Sequence, residues 1–389
     1  MPTRERRSAC ADRLTGAERP ARRRRAGLLA LVSLLLPALV LAGCGYGSRK
    51  QETRMPGEEF TPKGRKLSAD SLTIGYFPNI THATALVGLQ KGFFAKELRG
   101  TRLKTQVFNA GPSAMEALNA GAVDIAWVGP APAVNGFVRS KGRNLRIISG
   151  SASGGASLVV NPDRIRSPAD VRGRRIATPQ IGGTQDTALL HWAAARGWRV
   201  DPQTGDGDVR VVRQDNKEIP TAFRRGAVDG AWVPEPVAAQ LVAAGGRKLV
   251  DERDLWPGGR FVTTHVVVSQ TFLDRHPDVV EAVLRGSVRT NAWIAAHREP
   301  AKAEVNAAVR RLTGRPLPDD VLDMAWRGVD ILDDPLADTL AAEVDHALTT
   351  GLLTSADVAG IYDLRPLNRV LAAEGRPPVD DAGLAVPGD

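Results

Sequence analysis

Two segments of this chain carry almost the same eight residues. GAVDIAWV starts at Gly121 and GAVDGAWV starts at Gly226, so seven of the eight positions repeat after 105 residues. Solenoid repeats recur about every 20 to 50 residues and need at least about three copies, which excludes that architecture. A segment that occurs twice at this distance predicts two similar lobes in one chain.

In both segments a glycine follows a helical pattern and precedes an apolar run. A glycine in that place is typical of a helix C-terminus, and the apolar run is typical of a strand buried on both faces. Strands and helical stretches alternate around each segment, which predicts parallel β-α-β units. The carboxyl ends of such strands border the ligand crevice, so the following residues, VGPAP and VPEPV, are expected to meet there.

The order of these patterns predicts an α/β chain with two doubly wound sheets joined by two hinge crossings. Small residues at Ser151–Gly155 can absorb backbone rotation and are one candidate hinge, and Val262–His265 is the other. Helical patterns from about Leu273 onward are expected to pack on the first lobe. The predicted boundaries are 67–155 and 265–380 for lobe 1, 156–264 for lobe 2, and 381–389 for a tail.

The chain starts with the pattern of a secretory signal peptide. Four arginines, Arg22–Arg25, precede the apolar segment Ala26–Ala42, which is short for a membrane-spanning helix. The residues LAGC end at Cys44, and small residues before a cysteine favour cleavage ahead of it. Residues 1–43 are therefore a predicted signal peptide, and 44–66 are a predicted tether. An uncleaved anchor is the alternative, and both Sec and twin-arginine export stay open.

Most of the positive charge lies in this first segment. The whole chain carries a net charge of +9, and residues 1–43 contribute +6 through nine Arg and three acidic residues, which leaves about +3. No basic stripe with interleaved aromatic residues follows, so we expect no nucleic-acid partner. The two cysteines are Cys10 and Cys44, so cleavage would leave no disulfide in a monomer.

Several segments, in order, carry a family resemblance. LAGC resembles the lipobox of bacterial lipoproteins. The chain from about Leu67 to Pro378 resembles the substrate-binding lipoproteins of ABC importers, and more narrowly their aliphatic sulfonate, taurine and nitrate group, which has the type II periplasmic-binding-protein fold. The segments are IGYFPNITHATALVGLQKGFF, GPSAMEALNAGAVDIAWVGPAPAV, IRSPADVRGRRIATPQIGGTQD, GAVDGAWVPEPVAAQL and DLRPLNRVLAAEG.

The resemblance implies a role and a location. It implies a monomer that is lipidated at Cys44 and anchored on the extracytoplasmic face of the cell membrane. It also implies a small anionic solute as ligand, most specifically an aliphatic sulfonate or taurine, and the permease subunits of an ABC transporter as partners. No cofactor and no metal are expected, and the two lobes are expected to close on the ligand.

The crevice residues themselves predict an oxyanion site. AGPSAMEAL places Ser113 at a helix N-cap after Gly111, and IGGTQDTALL places Thr184 at another after Gly183. Two helix N-termini that face one cleft offer free N–H groups to a sulfonate, sulfate, nitrate or carboxylate without a cationic side chain. Both could also be ordinary capped helices.

Further candidates flank these two helices. His82 could donate to a sulfonate oxygen, more strongly if protonated, or be a surface or capping residue. Trp232 could form a wall against the apolar part of the ligand, while Trp127 is expected in the core. Glu235 would repel an anion unless it pairs with an Arg or recognises an amine. The candidate ligand-binding residues are Asn79, His82, Gly111, Ser113, Gly129, Pro130, Ala131, Ser153, Gly183, Thr184, Gln185, Trp232 and Glu235.

Other functions remain as alternatives. Relatives of this fold include enzymes, but the chain has no HExxH spacing and no G-x-S-x-G elbow, so we expect a binding protein. Nitrate, bicarbonate or a thiamine-precursor pyrimidine are the alternative ligands, and a sensor is an alternative to a permease. Pocket size and aromatic stacking separate these ligands from a sulfonate.

Overall fold

The computed structural model describes residues 50–51, 66–354 and 357–386. The predicted signal peptide, Cys44 and most of the predicted tether lie outside these residues. Of the tether only Lys50–Gln51 and Lys66 are described, and Lys50–Gln51 form a strand rather than irregular chain. Within the described ranges, every helix is too short or too polar to cross a membrane.

Twelve strands form two mixed sheets among the described residues. The larger sheet has the order β1-β3-β2-β4-β11-β5-β12, and the smaller has the order β10-β6-β9-β7-β8. We call the elements around the larger sheet lobe 1 and those around the smaller sheet lobe 2. The strands are β1 (Lys50–Gln51), β2 (Ser71–Tyr76), β3 (Arg102–Val107), β4 (Ile125–Val128), β5 (Leu145–Gly154), β6 (Ala156–Val160), β7 (Arg175–Thr178), β8 (Arg210–Arg213), β9 (Gly230–Pro234), β10 (Arg247–Asp251), β11 (Val262–Ser269) and β12 (Val329–Ile331).

Helices cover both sheets, as the α/β prediction requires. The parallel units are β3-β2-β4 in lobe 1 and β8-β7-β9 in lobe 2, whereas β6 and β11 run antiparallel to their neighbours. The helices are α1 (Ala83–Gln90), α2 (Phe93–Glu97), α3 (Gly111–Asn119), α4 (Pro130–Arg139), α5 (Thr184–Ala194), α6 (Ile219–Arg224), α7 (Val237–Ala243), α8 (Gln270–Arg275), α9 (Pro277–Ala296), α10 (Arg298–Thr313), α11 (Asp319–Arg327), α12 (Leu340–Thr349) and α13 (Arg365–Ala373).

The repeated octapeptide makes the same connection in each lobe. Gly121 and Gly226 follow α3 and α6 with φ of 70° and 67°, a left-handed conformation that glycine adopts without strain. The chain then enters β4 or β9, each next to the parallel strand β2 or β7. The two tryptophans, Trp127 and Trp232, are fully buried in the cores behind these strands.

The aspartate of the repeat joins each connection to the neighbouring strand. The Asp124 carboxylate accepts a hydrogen bond of 2.8 Å from the backbone N–H of Thr73, and the Asp229 carboxylate accepts one of 2.9 Å from that of Arg175. Asp229 also forms ion pairs with the side chains of Arg164 and Arg175. The repeat is therefore a strand-positioning unit that each lobe uses once.

The two aspartates differ in their electrostatic surroundings. Burial raises the pKa of Asp124 against the opposing effect of the Thr73 hydrogen bond. Burial also acts to raise the pKa of Asp229, but the hydrogen bonds from Arg175 and Arg164 outweigh it and lower that pKa below 3.8. The charge of Asp229 therefore stabilises lobe 2, while the charge of Asp124 gives lobe 1 no such gain.

The first hinge crossing is shorter than predicted. β5 continues through Ser151 and Ser153 to Gly154, so only Gly155 separates it from β6. Gly154 and Gly155 both have φ of 72°, and a Cβ atom on Gly155 would collide with Val329 of β12. The glycines are required there because other residues adopt this conformation at a cost.

The second crossing comes earlier than the predicted boundary after residue 264. β11 pairs with β4 and β5 of lobe 1, and its first residue, Val262, is already paired with Ser153. Residues 262–264 therefore belong to the sheet of lobe 1. The sequence pattern could not place this boundary, because a strand with the composition of residues 261–268 fits either sheet equally well.

The C-terminal helices pack on lobe 1, as expected, but two of them also contact lobe 2. α11 packs against α7, and α12 packs against both α4 of lobe 1 and α5 of lobe 2. Leu340, Val344 and Ala347 give α12 an apolar face in the core of lobe 1. α11 and α12 therefore connect the two lobes in addition to the hinge strands.

We predict that Asp229→Asn destabilises the protein more than Asp124→Asn. Asparagine keeps an oxygen that can accept the backbone N–H, so Asp124→Asn should cost less than about 1 kcal/mol, while Asp229→Asn also loses charged hydrogen bonds and should cost about 1 to 2 kcal/mol. Urea unfolding at pH 7 measures both. The depressed pKa of Asp229 means that its extra contribution is present above pH 3.8 and is lost as the pH falls. Equal losses for the two variants at pH 7 would contradict this assignment.

Candidate anion-binding site between the lobes

A small cavity of about 40 Å³ lies between the lobes at the carboxyl ends of the parallel strands. A larger groove of about 730 Å³ lies on the surface of lobe 1 between α10 and α11, away from both hinge crossings. The cavity is bordered by both lobes, so it is the candidate ligand site. Its wall consists of Phe77, Asn79, Thr81, His82, Ala110, Gly111, Gly129, Pro132, Thr263 and Thr264 of lobe 1 and Pro179, Gln180, Gly183, Thr184, Gln185, Asn216 and Pro234 of lobe 2.

Four helices begin at this wall. The N-cap residues of α1, α3, α4 and α5 are His82, Ala110, Gly129 and Gly183, and all four line the cavity. None of the four side chains caps its own helix. α1 continues directly from the 3-10 turn Ile80–His82, and its Ala83 N–H donates to the Ile80 carbonyl, so the N–H groups left for other acceptors are those in the first turns of α3, α4 and α5. The positive ends of the four helix dipoles favour an anion at this point.

The helices differ in the number of donors that they offer. Prolines occupy early positions in α3 and α4, where Pro112 and Pro130 have no N–H to donate. The first turn of α5 contains no proline, and its first intrahelical bond runs from the Thr187 N–H to the Gly183 carbonyl. We therefore regard α5 as the main backbone donor.

The predicted N-cap positions of Ser113 and Thr184 are wrong by one to three residues. Ala110 is the N-cap of α3, since Pro112 is accommodated in the first turn, and Ser113 instead faces Gln180 across the crevice at 3.5 Å. Gly183 is the N-cap of α5, and Thr184 is its first helical residue. The Thr184 hydroxyl is buried on the cavity wall and has no hydrogen-bond partner among the described residues.

His82 lies on the wall as a neutral donor rather than a cation. Its ring stacks on Phe77 with 4.2 Å between ring centroids, and its Nδ1 accepts the backbone N–H of Phe77 at 3.3 Å. Burial lowers the pKa of His82 to about 3, so the imidazole is neutral at physiological pH. With Nδ1 acting as acceptor, the proton is on Nε2, which can donate. The wall therefore carries no ionised side chain.

Two predicted ligand contacts, Trp232 and Glu235, lie away from the cavity. Trp232 is fully buried because α5 packs over it, with Trp192 at 5.9 Å, and its Nε1 donates to Glu252 at 2.7 Å. The Glu235 carboxyl accepts the backbone N–H of Ala239 in α7 at 2.9 Å. Burial raises the pKa of Glu235 to about 7. Glu235 therefore bonds the backbone of its own lobe. Among the described residues it forms no ion pair with an arginine, and it does not line the cavity where a ligand amine would lie.

The remaining predicted residues divide into two groups. Pro130 and Ala131 begin α4 without reaching the wall, which Pro132 reaches instead, and Ser153 is paired inside the sheet. The predicted residues that do line the cavity are Asn79, His82, Gly111, Gly129, Gly183, Thr184 and Gln185.

Sequence reasoning missed several polar residues of the cavity wall. Thr263 and Thr264 come from the start of β11, and Asn216 follows β8. The Thr264 hydroxyl and Asn216 Oδ1 are buried and have no hydrogen-bond partner among the described residues. The polar pair inside the apolar run FVTTHVVV was a usable signal, since a buried strand rarely carries two adjacent hydroxyls without a role.

Comparisons with known proteins agree with this geometry. Residues 65–310 match the model of the NMT1-like family. The taurine-binding periplasmic protein of Escherichia coli K12 is 29% identical over 220 residues, which are 57% of this chain and 65% of that protein. The chain thus spans slightly less than two thirds of the length of that relative.

Solved structures show the same fold. The alkanesulfonate-binding protein of Xanthomonas axonopodis pv. citri bound to MOPS aligns with a TM-score of 0.61 at 20% identity, covering 74% of this chain and 95% of that one. The nitrate-binding protein of Synechocystis PCC 6803 aligns with a TM-score of 0.67 at 15% identity, covering 79% and 90%. These relatives are named as binding proteins, in line with the expectation of a binding protein rather than an enzyme. The chain belongs to the NMT1-like family and has the type II periplasmic-binding-protein fold.

Proposed function

We propose that this protein is an extracytoplasmic solute-binding lipoprotein that captures a small aliphatic sulfonate, taurine included, and delivers it to the permease of an ABC importer. The observation that carries the proposal is the cavity wall, where the uncapped N-termini of α3, α4 and α5 meet and no side chain among the described residues is ionised. Neutral donors in a site closed to water can replace the hydration shell of one small anion.

The donor set suits a sulfonate group. Its three oxygens only accept hydrogen bonds, and the wall offers donors from both lobes, including the Thr184 hydroxyl, the Thr264 hydroxyl and His82 Nε2. A volume of about 40 Å³ corresponds to roughly three waters at 10 to 15 Å³ each, which is the size of a small oxyanion head group. The names of the sulfonate- and taurine-binding relatives support the same class.

Nitrate and bicarbonate are the second candidates, supported by the small volume and by the nitrate-binding structural relative. A pyrimidine fits less well. The aromatic ring of Phe77 is already stacked on His82, and within the part of the chain that the structure describes no other phenylalanine, tyrosine or tryptophan lines the cavity. Stacking of a planar base would therefore require the wall to rearrange.

The lobes touch at several points around the cavity. The side-chain amide of Asn216 donates to the backbone carbonyl of Asn109 at 3.1 Å, and Asn109 faces Asp215 at 3.5 Å. A Cβ atom on Gly129 of lobe 1 would collide with the Thr184 hydroxyl of lobe 2. A solute contacting both walls would favour this closed arrangement over a separated one, and that difference in affinity would drive closure.

Binding of taurine, ethanesulfonate and nitrate to the full chain tests the function directly. We expect a sulfonate at 100 times its Kd to stabilise the protein by about 2.7 kcal/mol, measured as a rise in Tm. Thr184→Val should weaken that binding about tenfold, since it removes a hydroxyl donor at nearly constant shape. Thr349→Val, on an exposed position of α12, is the matched control and should bind normally. A rise in Tm with nitrate alone would select nitrate or bicarbonate as the ligand. If none of the three probes raises the Tm, both the sulfonate and the nitrate function are rejected.

We predict that Gly129→Ala holds the lobes apart. The added methyl group would occupy the space of the Thr184 hydroxyl, so the variant should bind the sulfonate more than about tenfold less tightly. In small-angle scattering it should keep its larger radius of gyration when the probe is added. Thr184→Ala in the same protein removes the colliding atom and should restore compaction on ligand addition. Compaction of the single variant equal to that of the wild type would refute the closure mechanism.

The lipid anchor has its own test. Arg22–Arg25, the apolar segment and LAGC motivate the proposal that Cys44 is acylated, although these residues lie outside the described structure. Cys44→Ala should leave the protein unprocessed or free of the membrane, as measured by mass and by fractionation. A correctly cleaved variant that still partitions with membranes would show that the cysteine is not the anchor.

A further inference from the structure

Two histidines stack on each other where the C-terminal part of the chain meets lobe 2. His191 lies on α5, and His346 lies on α12, whose opposite face is in the core of lobe 1. The ring centroids are 3.7 Å apart, and the planes differ by 20°. Trp256 covers His346 from a further side at 5.3 Å. The stack therefore forms part of the contact between α12 and α5.

The stack requires both rings to be neutral. His191 Nδ1 is buried and has no hydrogen-bond partner among the described residues, so nothing there accepts a second ring proton. Burial and the neighbouring His191 lower the pKa of His346 to about 4. Burial also lowers the pKa of His191. Two imidazolium rings at 3.7 Å would repel each other strongly.

The other titratable groups at this contact act partly in the opposite direction. Asp345 on α12 favours a proton on His346, but its effect is smaller than that of burial. Burial raises the pKa of Glu252 to about 7 and that of Glu343, which also feels the charge of Glu252, well above its ordinary range, so proton uptake by Glu252 in acid favours the closed contact and the histidine stack has to outweigh it. The buried hydroxyl of Tyr362, whose pKa is raised by burial and by nearby carboxylates, is neutral.

The stack is connected to the ligand site by one rigid helix. Thr184 begins α5 on the cavity wall, and His191 lies two turns further along the same helix, about 10 Å away at 1.5 Å per residue. A change in how α12 holds the far part of α5 therefore moves the main backbone donor of the site.

We propose that the His191–His346 stack is a proton-sensitive clasp between the lobes, so that acid separates α12 from α5, opens the crevice and weakens solute binding. This inference rests on the proposed function, because it requires binding by lobe closure. In the open form both imidazoles are expected to regain ordinary proton affinity. The closed form is then favoured fully above about pH 6.5 and progressively less as the pH falls toward 4.

The test is the Kd of taurine for the full chain at pH 7.5 and pH 5.0. Its sulfonate keeps its charge throughout this range, and His82, with a pKa of about 3, stays neutral. The wild type should bind about tenfold more weakly at pH 5.0, since one pKa unit of difference corresponds to a factor of ten. His346→Gln and His191→Gln should lose most of this dependence. His346→Lys should bind weakly already at pH 7.5.

His297→Gln is the matched control, because His297 is exposed and stacks on Trp293 at the junction of α9 and α10, away from lobe 2. It should retain the wild-type pH dependence. A wild-type Kd that changes less than twofold, or an unchanged acid loss in both glutamine variants, overturns the clasp while leaving the sulfonate function intact.

If taurine binds at neither pH, the sulfonate function fails and the clasp is judged by amide hydrogen exchange. After correction for intrinsic rates, protection of α5 and α12 should fall about tenfold from pH 7.5 to 5.0 in the wild type and stay constant in His346→Gln. Equal behaviour of the two proteins overturns the proposal. This readout also shows whether each variant is folded.

Discussion

The structure depends on unsatisfied N–H groups at helix N-termini that converge on one point. Each helix leaves its first backbone donors without intrahelical acceptors, and α3, α4 and α5 direct these donors to a single cavity. No one helix can surround an anion, so the donors must come from both lobes. The described wall residues include no ionised side chain. Helix N-termini bind an anion without a fixed cation, and a carboxylate on the wall would repel the proposed anionic ligand.

The repeated octapeptide supplies the scaffold for this convergence. In each lobe a left-handed glycine ends a helix, an aspartate holds the neighbouring parallel strand by its backbone, and the apolar run becomes a buried central strand. The lobes use the unit differently in one respect. Asp229 forms ion pairs with two arginines, whereas Asp124 is buried and accepts a hydrogen bond from the backbone. The negative charge of the motif therefore stabilises lobe 2 and gives lobe 1 no such gain.

The contacts between the lobes are distributed, and the polar ones are individually weak. Around the crevice they are amide and hydroxyl contacts such as Asn216 with Asn109 and Ser113 with Gln180. Elsewhere they are the packing of α11 on α7 and of α12 on α5. Single polar contacts of this kind contribute about 1 kcal/mol each, which is the scale on which the proposed closure and its proposed dependence on protonation would act.

The α/β class, the two lobes, the glycines of the first crossing and the crevice at the strand ends were predictable from the residues alone, because periodicity and glycine positions are local signals. So were Gly129, Gly183, Thr184 and His82 as residues of the crevice, and all four line the cavity. The fold was needed to show that Trp232 and Glu235 lie away from the cavity, that His82 is neutral, and that Thr264 and Asn216 join the wall. These features depend on burial and on neighbours that are distant in sequence. Trp192 of α5 covers Trp232, and the backbone of α7 donates a hydrogen bond to the Glu235 carboxyl. β11, which contains Thr264, pairs with β4 although more than a hundred residues separate them in sequence.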